Sequence, residues 1–302
     1  MNLLLYGLTV LIWGTTWIAI KWQLGVVAVP VSIFYRFAVA GVVLLVSLVL
    51  ARKPIWPPRW AWRYLVAQGV ALFCCNFLCL YFASQYVASG LVAVVFSTAP
   101  LWNAVNGKLF LGRAIRASVV LGALFGLAGI SLLFLPQLAS RWHDKGMLFG
   151  LALALLGTLS FSSGNLLSSR MQSLGLTPWV SNTWAMLIGA SILGVASLLL
   201  GLSFAAEPSL RYVGALLYLA IPGSVIGFTA YLMLVGRIGP DRAAYSTVLF
   251  PVVALTMSTF FEGYHWTLPA LGGIGLIMAG NLLAFLPIRI GWHKPEPPIF
   301  PA

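Results

Sequence analysis

Four hydrogen-bonding side chains, Thr158, Ser162, Asn165 and Ser169, recur at i, i+4, i+7 and i+11 in an otherwise apolar run. That spacing puts them on one face of a helix. Their chemistry is neutral recognition, since hydroxyls and amides bind a polar solute or a neighbouring helix without titrating near neutrality. Similar polar residues stand in other apolar runs: Thr16 between Trp13 and Trp17, Asn76 and Tyr81, Asn103 and Asn106 just past Pro100, Tyr231, and Tyr245 with Thr247 before Pro251. Prolines inside apolar runs distort a helix and free carbonyls. The candidate solute contacts are therefore Trp13, Thr16, Trp17, Asn76, Tyr81, Pro100, Asn103, Ser162, Asn165, Tyr231, Tyr245 and Pro251. Trp56, Trp60, Trp62, Trp142 and Trp292 lie near run ends and read as interfacial anchors.

Two cations accompany these residues. Arg36 is the one charge deep within an apolar run, and Lys21 follows Trp17 by about a turn. Both are candidate contacts for a solute carboxylate. Arg36 has a second reading, a structural cap on backbone carbonyls near the outer surface, and its position favours that one because a long side chain snorkels to the interface. Lys21 is also placed to stack near Trp17. The acids Asp144, Glu207, Asp241, Glu262 and Glu296 and the histidines His143, His265 and His293 fall in loops or at run ends. No carboxylate pair and no Ser–His couple can be assembled inside the runs, which argues against an enzyme. Cys74, Cys75 and Cys79 share one run without a histidine and read as packing residues. Neither a metal nor a cofactor is expected, and no GxxxxGK loop is present to bind ATP.

The elements that must position these residues follow from composition. Of 302 residues, 61% are hydrophobic and 7% charged, against about half and a quarter in soluble domains. A bilayer core needs about 20 apolar residues per helix. Ten runs meet that, at 3–20, 30–50, 64–86, 89–111, 117–135, 147–169, 179–200, 212–236, 243–261 and 267–287. Unbroken runs favour helices over barrel strands, which alternate. The fold class expected is all-α integral membrane, with the opening run kept as a helix because it lacks a basic leader and a cleavage site. Lys and Arg gather on the side of the termini: Arg52, Lys53, Arg59, Arg63, Lys108, Arg113, Arg116, Arg170, Arg237, Arg242, Arg289 and Lys294, against Lys21, Arg141, Lys145 and Arg211 opposite. Both termini are thus expected in the cytoplasm. The net charge of +12 is assigned to topology and anionic lipid, not to nucleic acid.

The chain also repeats itself. "GISLLFLP" at 129–136 returns as "GNLLAFLP" at 280–287, an offset of 151 at which Pro100 meets Pro251, Gly122 meets Gly273 and Gly129 meets Gly280. With small changes of offset, Pro30 and Gly41 meet Pro178 and Gly189, and Tyr64, Leu65 and Gly69 meet Tyr218, Leu219 and Gly223. Residues 1–137 and 146–288 are read as one five-helix unit used twice, with 289–302 as a cytoplasmic tail. Five is odd, so the second copy is inverted. Inverted repeats are characteristic of transporters with a midplane site between the halves.

"WGTTWIAIK" (13–21), "YRFAVAG" (35–41), "STAPLWNAVNGKLFLGRAI" (97–115), "LFPVVALTMSTFFEG" (249–263) and "LGGIGLIMAGNLLAF" (271–285) resemble the EamA-type members of the drug/metabolite transporter superfamily. The chain is similar in particular to bacterial inner-membrane exporters of aromatic amino acids. The resemblance implies export of small metabolites, aromatic and other neutral amino acids among them, by alternating access. One departure is Arg113, where many relatives carry Glu in "LGER". With no titratable group at midplane, the expected transport is facilitated or weakly coupled. The competing readings are a multidrug or cation exporter of the same superfamily and, from another class, an intramembrane enzyme.

Overall fold

A bilayer offers no water to backbone N–H and C=O groups, so an apolar run satisfies them internally as a helix. The computed structural model describes residues 2–25, 27–112, 117–141, 145–205, 207–244 and 246–285, and no strand occurs among them. The helices are α1 (Asn2–Gln23), α2 (Val29–Leu50), α3 (Arg59–Tyr86), α4 (Ser89–Phe96), α5 (Ala99–Leu111), α6 (Ala117–Arg141), α7 (Lys145–Ser173), α8 (Pro178–Leu199), α9 (Leu210–Ile238), α10 (Pro240–Ala243), α11 (Ser246–Glu262) and α12 (Leu268–Phe285). Six of these, α1, α2, α3, α7, α8 and α9, are long and apolar enough to cross a membrane. Shorter apolar stretches run over Ala117–Leu133, Leu249–Glu262 and Leu268–Gly280.

The sequence reading expects one helix over 89–111, and the structure divides it at Ser97 and Thr98. Their hydroxyls donate to the carbonyls of Val94 at 2.6 Å and Val95 at 2.7 Å, so the break leaves those acceptors satisfied. Pro100 sits in the first turn of α5, where a missing N–H costs nothing. It therefore starts α5, and the distortion expected around it takes the form of this break instead of a bend within one helix. The expected run at 243–261 is likewise preceded by the single turn of α10, and Pro251 lies inside α11.

Two helices carry π-wound segments, Gly69–Cys75 in α3 and Leu219–Ile226 in α9. The second has a cause in Pro222, which cannot donate to the ladder. Wider winding there lets the Ser224 hydroxyl reach back to the Leu219 carbonyl at 2.8 Å.

Packing pairs α6 with α12 and α2 with α8. At the first pair the backbones nearly touch. A Cβ on Gly129 would lie 2.5 Å from the Gly273 carbonyl oxygen, and one on Gly280 would lie 2.7 Å from that of Gly122. Small residues allow such approaches inside a membrane, where dispersion and weak polar contacts replace the hydrophobic drive. The contacts are reciprocal, in that Gly122 and Gly129 each face the glycine that matches the other at the 151 offset. Similarly α1 packs on α9 and α11, while α7 packs on α3 and α5.

Gly129→Leu forces the α6–α12 pair apart and should lower stability by about 1–3 kcal/mol or more. Thermal unfolding of the purified protein in detergent checks this, with Gly7→Ala, whose added Cβ meets nothing within 4 Å, as the control expected to change little.

Candidate functional site

The innermost cavity lies where seven helices converge. Trp13, Thr16, Trp17 and Ile20 come from α1, Arg36 from α2, Asn76, Phe77 and Leu80 from α3, Phe96 from α4, Phe161 from α7, Phe228 from α9 and Phe250 from α11. Its volume is about 30 Å³, room for roughly one water molecule. The described conformation is therefore closed around its site.

Aromatic rings make the walls. Trp13 lies 4.6 Å from Phe228, 4.9 Å from Tyr231 and 5.9 Å from both Phe161 and Phe250, centroid to centroid. Its indole N–H donates to the Gly223 carbonyl at 2.9 Å, which ties α1 to the π-wound part of α9. Trp17 packs edge-on against Phe96 at 5.4 Å.

Arg36 supplies the charge. It is only 2% exposed, and its guanidinium lies 4.5 Å from the centre of the Phe77 ring and 5.3 Å from that of Phe37. Nε donates to Ser224 Oγ at 3.0 Å, and Nη1 reaches the Tyr81 hydroxyl at 3.4 Å. Tyr81 in turn donates to Gln23 Oε1 at 2.7 Å. These partners are all neutral. A guanidinium has five N–H donors, so several remain for the cavity. Two further polar groups at the wall, the Trp17 indole nitrogen and Asn76 Oδ1, have no partner among the described residues. Buried polar atoms in native proteins are normally bonded, and orphans of this kind point to a ligand or water.

Polar contacts close both ends. Toward one end, Lys21 Nζ donates to the Ser84 carbonyl at 2.7 Å, and Glu262 Oε2 accepts from Ser89 Oγ and Ser258 Oγ, each at 2.5 Å. Toward the other, Ser162 Oγ donates to Asn103 Oδ1 at 2.6 Å and accepts from Asn106 Nδ2 at 2.9 Å, and Asn165 Nδ2 donates to the Tyr231 hydroxyl at 3.1 Å. Asn103 Nδ2 also reaches the Pro240 carbonyl at 3.2 Å.

The residues named from sequence thus separate into classes. Trp13, Thr16, Trp17, Asn76 and Arg36 line the cavity. Tyr81 stands behind Arg36, and Tyr231 packs against Trp13 with the rings tilted by 40°. Asn103, Ser162 and Asn165 form the closure between α5, α7 and α9 rather than the wall. Pro251 is buried beside Phe250, and Pro100 is buried at the head of α5. Tyr245 lies outside the described residues. Two readings are corrected: Arg36 turns inward instead of snorkelling out to cap carbonyls, and Lys21 holds the end of α3 instead of stacking on Trp17. Phe77, Phe96, Phe161, Phe228, Phe250 and Ser224 were not singled out from sequence. Nothing in their spacing separates them from ordinary core; only Pro222 hinted at distorted backbone near Ser224.

The profile of the EamA-like transporter family matches residues 2–135 and again 148–286. The inner membrane transporter YedA of Escherichia coli is 31% identical over 84% of this chain and 80% of its own. PecM of Dickeya dadantii is 27% identical over 83% of this chain and 80% of its own, and the Bacillus subtilis transporter YoaV is 25% identical over 81% and 83%. A crystal structure of a protein 18% identical superposes with a TM-score of 0.72, covering 94% of this chain and 96% of that one, which shows a shared fold.

Ser224→Ala removes an acceptor from a buried cation and should cost about 1–3 kcal/mol of stability. Thr158→Ala, which removes a hydroxyl bonded only within its own helix to Ala154 at 2.7 Å, should cost less than about 1 kcal/mol. Thermal unfolding of the two variants side by side measures the difference.

Proposed function

The chain belongs to the EamA-like transporter family, and on that premise we propose that it exports amino acids, aromatic and other neutral ones, across the bacterial inner membrane by alternating access. The observation that carries this reading is Arg36, a buried guanidinium held by neutral partners and turned to an aromatic-walled cavity. A carboxylate supplies the counter-charge it lacks, in the paired geometry a guanidinium prefers. Asn76 Oδ1 offers an acceptor to the solute's ammonium group, and Trp13 with the phenylalanines offers faces for an apolar or aromatic side chain. A multidrug cation site fits poorly, because the one charge at the wall is positive. No carboxylate lines the cavity, which favours facilitated or weakly coupled flux over proton exchange.

The architecture we propose for this cycle is ten crossings in two inverted five-helix halves, 1–137 and 146–288. The double match of the family profile supports it, as does the reciprocal facing of Gly122 with Gly280 and Gly129 with Gly273. A two-fold axis produces that pattern, in which i meets the equivalent of j and j meets the equivalent of i. The name of the Escherichia coli relative supports the inner-membrane placement, and the excess of Lys and Arg supports termini in the cytoplasm.

Purified protein in liposomes should carry labelled phenylalanine, tryptophan, methionine and threonine without a pH gradient, and should not carry phenylalanine methyl ester or a quaternary ammonium dye. Arg36→Lys should raise KM for phenylalanine about ten- to hundredfold and, by giving up the Ser224 and Tyr81 contacts, lower stability by about 1–3 kcal/mol. Flux of the dye alone would sink the amino-acid reading, and strict dependence on a pH gradient would sink the uncoupled one. For orientation, Ser203→Cys, in a chain whose native cysteines are replaced by serine, should react with an impermeant maleimide applied to intact cells, whereas Pro54→Cys, equally exposed, should react only after permeabilisation.

A further inference from the structure

A second concavity lies on the flank of the molecule, where α1 and α11 end and α9 begins. Its larger lobe, about 580 Å³, runs along Ala19, Gly214 and Tyr218 to Trp22, Phe261 and Arg211. The same three residues, Trp22, Phe261 and Arg211, also border a smaller lobe of about 370 Å³ that holds Lys21 and Glu262. The volumes fall in the range of small-molecule sites. The larger lobe is apolar and open sideways: Phe261 is 53% exposed, and a Cβ on Gly214 would meet nothing within 4 Å. Its deep end is bounded by Tyr218, whose hydroxyl lies 2.5 Å from Thr15 Oγ1. The smaller lobe is charged. Arg211 lies over Trp22, 5.6 Å from the ring centre, and Trp22 packs edge-on against Phe261 at 5.3 Å, so the aromatic pair marks the border between the two characters.

We propose that this groove binds a glycerophospholipid of the outer leaflet with a phosphoethanolamine head. An apolar groove open to the bilayer is filled by what the bilayer supplies, which commits the larger lobe to an acyl chain. The smaller lobe presents two cations and one carboxylate. Arg211 and Lys21 match a phosphodiester, and Glu262 matches an ammonium. Indole and guanidinium together form the interfacial anchor at the height where a head group sits. Because Glu262 also accepts hydrogen bonds from Ser89 and Ser258, the lipid head would rest against the contact that joins α11 to α4. The groove lies outside the central cavity but shares Lys21 and Glu262 with the contacts that close one end of it, and its outer-leaflet placement rests on the orientation proposed above.

The test is native mass spectrometry of the full chain in detergent with phosphatidylethanolamine, phosphatidylglycerol or glycerophosphoethanolamine. Wild-type protein should retain phosphatidylethanolamine in preference to phosphatidylglycerol, and the chainless head group should not bind. Arg211→Ala should weaken retention about tenfold through the head. Gly214→Phe should weaken it comparably by filling the apolar lobe, with unfolding temperature unchanged because the space is open. Retention by Gly214→Phe at the wild-type level overturns the acyl-chain assignment even where Arg211→Ala fails to fold. Equal retention of phosphatidylglycerol overturns the ethanolamine head, and binding of glycerophosphoethanolamine as tight as that of the lipid replaces the lipid with a soluble phosphate.

Discussion

Burying a guanidinium among apolar helices is costly, and the local architecture around Arg36 offsets that cost. Its Nε needs the Ser224 hydroxyl, which is oriented by the Leu219 carbonyl inside a π-wound segment that Pro222 imposes on α9. Its Nη1 faces Tyr81, which is fixed by Gln23 at the end of α1. Four helices are thereby tied to one cation. The arrangement holds the charge without neutralising it, since Ser224 and Tyr81 are both neutral partners. Phe77 and Phe37 shield the guanidinium from solvent while their faces attract it. A binding site that holds a bare charge in this way is stable only while the cavity stays small or a counter-ion occupies it.

The glycine contacts have the complementary role of making rigid bodies. Where α6 meets α12, glycine backbone faces carbonyl oxygens directly, with Phe125, Leu133 and Ile277 packed beside the approach, which favours the two helices moving as one. Around the cavity the contacts are of another kind: ring against ring, and hydroxyl against amide. Such contacts re-form in a new register with little loss, because aromatic faces tolerate sliding and small polar groups find other partners. Motion is thus expected at the aromatic and polar seams, with the glycine-packed pair as a fixed frame.

Much of this was legible in sequence because membranes leave few choices. Apolar length fixes helix positions to within a few residues, as at α2, read at 30–50 and found at Val29–Leu50, and α8, read at 179–200 and found at Pro178–Leu199. The division at Ser97 and Thr98 was less legible: both hydroxyls satisfy the carbonyls they free, so the break has no marker beyond the proline that follows. Arg36 was read outward for a sound local reason, its nearness to the end of α2, and that reason lost to long-range partners. Ser224 and Tyr81 lie 188 and 45 residues away in sequence. The phenylalanine wall was illegible, because a ring lining a cavity and a ring filling a core have the same spacing.

The two closures differ in chemistry, and that difference bears on how the cycle is driven. The closure between α5, α7 and α9 is made of amides and hydroxyls, Asn103, Ser162, Asn106 and Asn165, whose bonds exchange readily with water. The opposite closure includes ionic groups, Glu262 accepting from two serines and Lys21 held by a helix-terminal carbonyl. Charge-assisted bonds are roughly twice as strong as neutral ones. The ionic side is therefore the more strongly held of the two. Arg36 reaches Tyr81, and Tyr81 bonds Gln23 at the end of α1, one residue past Trp22 and two past Lys21. The charge at the cavity wall is thereby connected through a single side chain to the end of α1 that carries the ionic contacts.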